Sequence, residues 1–447
     1  MLGIGEELVP LGRDVPFAGH VTDITFPPGF LWGVAGSGHQ TEGDNDNSDT
    51  WFAERTTPSV FAEQSGKACD SYHRWREDLD LVTSLGLDAY RFSVEWARVE
   101  PEEGVFSDEA LDHYEAIVDE CVARGLVPIV TYNHFTAPHW FAKRGGWLDP
   151  DAPALFARYC DRVTARFGDR IGYAVTLNEP DLPRVLSWLG LPDFVHDLER
   201  ATLAAASEAA GVPAYRLGNV VLPEELDAME DGLAAAHVVA KAAIKARRPE
   251  LPVGLSLALM DDVVVGDDAS VRDRKRAEVY RRWLELARED DFLGVQNYER
   301  VPYDGDGQVR PPEGAVLNQM GTEIEPESLA GAVRYAHGVA GVPIFVTEHG
   351  LASNDDTLRV AFIEPALTAL GEAIADGVPV LGYTHWTLLD NFEWIFGYAF
   401  HYGLHEVDRD TFERRRKPSA DVYAAFVAAH RIPADLADPV EPVEESA

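Results

Sequence analysis

Eight short apolar runs, each separated from the next by a longer and more polar stretch, set the strongest constraint on how this chain folds. The runs are Phe30 to Ala35, Ala89 to Ser93, Val127 to Tyr132, Tyr173 to Asn178, Val253 to Leu257, Phe292 to Tyr298, Ile344 to Thr347 and Val380 to Thr384. They are rich in β-branched and aromatic residues, the composition of strands in a buried parallel sheet. Between them lie amphipathic helix candidates, among them Asp108 to Arg124, Pro153 to Arg166, Glu224 to Arg247 and Asp356 to Asp376. Ser107 and Pro223 stand at helix starts, and Gly125 and Gly377 just past helix ends, which are the positions these residues favour. Alternating βα units of this number predict the α/β class and a single-domain (β/α)₈ barrel.

Length agrees with that prediction, because barrel enzymes with loop insertions exceed 400 residues as one unit, and this chain has 447. No Ser/Gly linker or low-complexity block divides it. Residues 1–433 are therefore read as one catalytic barrel. The last stretch, 434–447 (ADLADPVEPVEESA), is acidic and proline-containing and is expected to be a flexible tail. The segment from Asp181 to Pro223 is longer than a usual strand-to-helix connection, and such excess length commonly shapes a substrate entrance.

Composition excludes several functions. The formal net charge of −38 repels nucleic acid, anionic membranes and phosphorylated metabolites, so a neutral small molecule is the expected partner. No run of eighteen apolar residues offers a membrane span. The first twenty residues lack a basic start followed by an apolar run, and a cytoplasmic location is expected. Cys69, Cys121 and Cys160 are irregularly spaced and suggest neither a disulfide framework nor a zinc site. No HExxH or Cys/His grouping points to a metal, and no cofactor is expected; the sequence leaves the oligomeric state open.

Lysines are confined to Lys67, Lys143, Lys241, Lys245, Lys275 and Lys417. Two readings of this acid-rich, lysine-poor balance stay open: adaptation to high salt, or an ordinary acidic protein. Under the first, the melting temperature rises substantially from low to molar KCl as self-repulsion is screened. A flat series rejects it.

Active sites of (β/α)₈ barrels lie at the C-terminal ends of the strands, and here polar and aromatic residues gather at those ends. Strand one runs into Gln40 and Glu42, strand two holds Arg91, strand three ends at Asn133-His134, and strand four at Asn178-Glu179-Pro180. Strand six carries Gln296 and Tyr298, strand seven ends at Glu348-His349-Gly350, and strand eight at His385-Trp386. Planar hydrogen-bonding groups suit sugar hydroxyls, and aromatic faces suit the C–H side of a pyranose.

The motifs FPPGFLWGVAGSGHQTEG, YRFSVEWARVEP, TYNHFTAP, TLNEP, VTEHG and THWTLLDNFEWIFGYAFHYGL occur in this order. Together they resemble glycoside hydrolase family 1, the β-glucosidase and β-galactosidase family, over roughly residues 26 to 425. The resemblance implies a retaining exo-β-glycosidase acting on terminal β-D-glucosyl, galactosyl or fucosyl units. It makes Glu179 the acid/base, with Asn178 beside it, and Glu348 the nucleophile, contacted by Arg91 and Tyr298. Gln40, His134, Asn178 and Glu393 resemble the family's ligands for sugar hydroxyls, Trp386 its stacking platform and Trp394 a further hydroxyl donor. Retention requires two carboxyls about 5 Å apart, one protonated and one ionised.

Other readings of the same residues are structural: a buried ion-pair partner for either glutamate, a neutraliser of barrel carboxylates for Arg91, core aromatics for Tyr298, Trp386 and Trp394. A transglycosylase and a non-catalytic sugar-binding barrel are the functional rivals. The chain departs from the family pattern at Phe135 (usually Trp), Gln296 (more often Asn), His349 (usually Asn) and Asp181. These changes are expected to surround the glycone and the aglycone entrance.

Overall fold

The computed structural model describes residues 24–190 and 192–431; the expected tail at 434–447 lies outside them. Eight parallel strands close into a barrel in simple sequence order: Leu31–Ala35, Ala89–Ser93, Val127–Asn133, Tyr173–Asn178, Val253–Ala258, Leu293–Asn297, Ile344–His349 and Val380–Trp386. Each pairs with its sequence neighbours, and the eighth closes on the first through Leu31 opposite Gly382 and Ala35 opposite Trp386. Glycine is needed at 382, where an added Cβ would come within 2.7 Å of the Leu31 carbonyl oxygen.

All eight expected strands are present, with ends displaced by at most two residues. The helices Asp108–Ala123, Ala152–Phe167, Leu226–Arg247 and Asp356–Ala375 answer the four expected ones. Ser107 caps the first, its hydroxyl accepting from the Ala110 N–H at 3.1 Å. Pro223 opens a short 3₁₀ turn, so the third helix begins at Leu226 rather than Glu224. Gly125 and Gly377, just past two helix ends, take positive φ of 75° and 99°, conformations costly for a residue with a Cβ.

The barrel floor is apolar: Ala89, Ile129, Val175, Phe292 and Phe345 are buried against one another. A larger core fills the space between strands and surrounding helices, and Cys69, Cys121 and Cys160 are buried free thiols, Cys69, Cys121 and Cys160 all within it. The Asp181 to Pro223 segment is largely helical, with helices Leu182–Leu189 and Asp193–Ala210. Among the described residues no helix is long and apolar enough to cross a membrane.

Candidate active site

At the C-terminal end of the barrel a cavity of about 420 Å³ opens. It is reached by Glu179 from the fourth strand's end and Glu348 from the seventh strand. Both strands gain one residue relative to a neighbour just before these positions: Val175 faces Gly254 but Asn178 faces Ser256, and Val295 faces Val346 but Gln296 faces Glu348. Such a slip re-aims the side chains beyond it. Glu179 is further constrained by a positive φ of 45°, by its N–H donating to the Ser256 carbonyl at 2.8 Å, and by its carbonyl accepting from the Leu182 N–H. Phe135 (φ 68°) and Trp394 (φ 50°), also in the cavity wall, share this left-handed backbone. Non-glycine residues held there are strained, and such strain concentrates at functional sites.

The two glutamates are buried in different company. Glu348 accepts from the Arg91 guanidinium at 2.5 Å through one carboxylate oxygen and from the Tyr298 hydroxyl at 2.6 Å through the other. Arg91 is fully buried; the nitrogen that meets Glu348 also donates to the Thr347 carbonyl, and the other two donate to Asn178 Oδ1 at 2.6 Å and to the Thr131 hydroxyl. Asn178 Oδ1 also accepts from Gln296 Nε2 at 2.8 Å, so arginine, two amides and nucleophile candidate form one connected network. Glu179 has no ion pair among the described residues. Burial, then the nearby charges of Glu348 and Asp181, hold its carboxyl well above the usual range. Burial also raises Glu348, opposed by Arg91 and the Tyr298 hydroxyl. Of the two, Glu348 is the carboxyl whose ionised form is met by a cation and a hydroxyl, and Glu179 the one set to hold a proton.

Removing Arg91 should be costly because it leaves the Glu348 carboxylate buried without its cation. Arg91→Met is expected to lower unfolding free energy by about 3–5 kcal/mol, read from the urea midpoint. An unchanged midpoint would mean that the pair contributes little.

Gln40, His134, Trp386, Glu393 and Trp394 line the same cavity as Glu179, Glu348 and Tyr298. Arg91 and Asn178 stand behind its wall, bonded into the network above. His134 stacks nearly parallel to Trp386 and Trp394, with ring centroids 5.6 and 6.1 Å apart. Burial and the Arg91 charge push the imidazole well below its usual pKa, which favours the neutral ring. The Glu393 carboxyl is instead pushed well above its usual range by burial and by the charge of Glu348. His134 Nδ1, Gln296 Oε1 and Glu393 Oε1 are buried without a protein partner among the described residues. Buried polar atoms are rarely left so, and hydroxyls of a polyol are groups of the right kind to meet them.

Some expectations about the mouth need correction. His349 does not border the cavity: its ring stacks on Phe362 of the surrounding helix Asp356–Ala375 and meets the Tyr383 hydroxyl at 3.0 Å. His385 approaches that same hydroxyl. Both are turned away because successive strand residues point to opposite faces. Glu42 is also outside, held by Arg98 at 2.7 Å and the Tyr114 hydroxyl at 2.9 Å, and Asn133 donates to the Thr136 carbonyl. Gln296 does line the cavity, its nitrogen donating to Asn178 Oδ1. Asp181 is wholly buried, accepting from the Ala258 N–H at 3.0 Å, with its carboxyl pushed up to about 8 by burial; it lies behind the entrance rather than in it.

Glu299 and Tyr402 are also in the wall, beyond the residues that the sequence singles out, as are Gln308 and Thr322 farther along. The first two lie close to motifs, next to Tyr298 and within GYAFHYGL. Tyr402 packs edge-on against Tyr298, centroids 5.6 Å apart. Among the described residues no group of three His, Cys, Asp or Glu side chains could hold a metal ion.

The glycosyl hydrolase family 1 model matches residues 22–205 and 308–432. The chain is 29% identical to beta-glucosidase A of Thermotoga maritima, across 90% of this chain and 97% of that protein. It is 30% identical to the bifunctional beta-D-glucosidase/beta-D-fucosidase of Bifidobacterium breve, across 91% and 99%. Among solved structures, beta-glycosidase BGL167 is similar with a TM-score of 0.86 and 46% identity, over 93% of this chain and 99% of that one. The Thermotoga maritima beta-glucosidase bound to deoxynojirimycin gives 0.77 and 27%, over 92% and 100%; the same enzyme is also solved with galacto-hydroximolactam.

Proposed function

Because the chain belongs to glycosyl hydrolase family 1 and is a β-glucosidase-like glycoside hydrolase, we propose that it removes terminal non-reducing β-D-glycosyl units with net retention. Glu348 is the nucleophile and Glu179 the acid/base. The observation that carries this reading is the unequal setting of the two carboxyls in one cavity: Glu348 ion-paired with Arg91 and bonded by Tyr298, Glu179 without a cation.

In the first step Glu348 attacks the anomeric carbon while Glu179 delivers its proton to the departing oxygen; the C–O bond to the aglycone breaks as the glycosyl-enzyme ester forms. Glu179, now ionised, takes a proton from water as that water attacks the anomeric carbon and releases Glu348. Gln40, His134, Glu393, Trp386 and Trp394 bind the sugar.

Glucosyl, galactosyl and fucosyl units fall within the reading, supported by the glucosidase/fucosidase relative and by the galacto-configured ligand of the Thermotoga enzyme. A panel of nitrophenyl β-glycosides tests it: turnover of at least one of the three sugars is expected, and no turnover of any β-glycoside overturns it. A 6-phosphoglucoside is expected to be rejected, because no arginine or lysine stands among the described residues lining the cavity to meet a phosphate.

A further inference from the structure

The two halves of the cavity differ in chemistry. The inner half carries the polar side chains assigned to the sugar. The more exposed lining beside Glu179 is mainly apolar, with Leu182, Leu186, Leu189, Met260 and Met320; Gln308 and Thr322 are its polar members. The three leucines belong to the helix Leu182–Leu189, which starts directly after the proposed acid/base: the Leu182 N–H donates to the Glu179 carbonyl at 3.1 Å. Their i, i+4, i+7 spacing puts them on one helical face, while Val185 turns to the core and is fully buried. All three are half-buried, and Met320 is 44% exposed, so apolar surface remains open to whatever enters. A group protonated by Glu179 leaves along this wall.

We propose that the natural aglycone is an apolar alcohol, alkyl or aryl, rather than a second sugar; this rests on the assignment of Glu179 as the acid. A second glucosyl unit would set several hydroxyls against leucine and methionine, with only Gln308 and Thr322 there to replace part of the water they lose. The polar residues of the adjoining cavity, Arg300, Glu323 and Glu325, lie past Gln308 and Thr322, and Arg300 is already held by Asp261 at 2.7 Å and Glu325 at 3.2 Å. An apolar chain instead covers the wall, and methionine adapts its shape to such a ligand.

The test is kcat/KM for n-alkyl β-D-glucosides from ethyl to octyl, with nitrophenyl β-glucoside and cellobiose alongside. Leaving-group acidity is nearly constant along the alkyl series, so differences report contact with the wall. Each methylene that becomes buried should raise kcat/KM roughly fourfold, and octyl glucoside should exceed cellobiose by more than tenfold. Leu186→Asn should flatten the dependence on chain length. A series that is flat in the wild type, a preference for cellobiose, or a slope unchanged in Leu186→Asn overturns the proposal. If nitrophenyl glucoside is cleaved while the alkyl series is flat, only the aglycone assignment fails. If no nitrophenyl glycoside is cleaved, the glycosidase reading fails with it.

Discussion

Glu348→Ala is expected to lower kcat on aryl β-glycosides by roughly four to six orders of magnitude, the scale on which loss of one member of a cooperating catalytic group acts. The size follows from connectivity. Glu348 is where Arg91 and Tyr298 direct their donors, and Arg91 in turn fixes Asn178 and, through it, Gln296. Removing the carboxylate deletes the attacking group and leaves a buried guanidinium facing an empty space of carboxylate size. A small anion fits both the space and the charge. Azide is therefore expected to restore activity and to yield the α-glycosyl azide, because it attacks from the face Glu348 occupied. Retention of near-normal activity would show that another group is the nucleophile; rescue giving the β-azide would place the attack on the opposite face.

Glu179→Gln should behave differently, and the contrast separates the two carboxyls. General acid catalysis contributes about 10²–10⁴-fold where the leaving group needs a proton. Alkyl glucosides should therefore lose kcat/KM on that scale, while dinitrophenyl glucosides, whose leaving group departs unaided, should lose little in the first step. The pH dependence follows with a definite sign. Glu179 must be protonated to act and its pKa is raised by burial and by neighbouring Glu348 and Asp181, so in the wild type activity falls as pH rises through the higher apparent pKa. Glu348 must be ionised, so activity falls as pH drops through the lower one. The two values belong to the pair. In Glu179→Gln the alkaline fall should disappear while the acidic fall persists; an alkaline limb that survives would mean that another group supplies the proton.

The barrel was legible because its strands are short, apolar on both faces and rich in β-branched residues, so run length alone marks them against the amphipathic helices. The residues at the strand ends were legible as a set, and the cavity gathers Gln40, His134, Glu179, Tyr298, Glu348, Trp386, Glu393 and Trp394 together. Which neighbour faces inward was not. Glu348 and His349 are adjacent, yet one enters the cavity and the other stacks on Phe362. That choice hangs on a one-residue slip between the sixth and seventh strands, which depends on two strands at once and leaves no mark in either. The entrance was hidden for another reason. The Asp181 to Pro223 segment showed only unusual length, although Leu182, Leu186 and Leu189 carry a helical period. Its apolar face borders an open cleft as well as the core, and periodicity cannot tell these apart.

Retention through Glu348 requires a covalent bond between the sugar and this carboxylate, and mass spectrometry can look for it. A dinitrophenyl β-glucoside fluorinated at the carbon next to the anomeric centre slows both steps but keeps a leaving group good enough to form the intermediate. Incubation followed by peptide mapping should find one fluoroglucosyl unit per chain, carried on Glu348 within the peptide containing VTEHG. Label on a different residue, or turnover of ordinary aryl glucosides with no covalent adduct and inverted product, would contradict it.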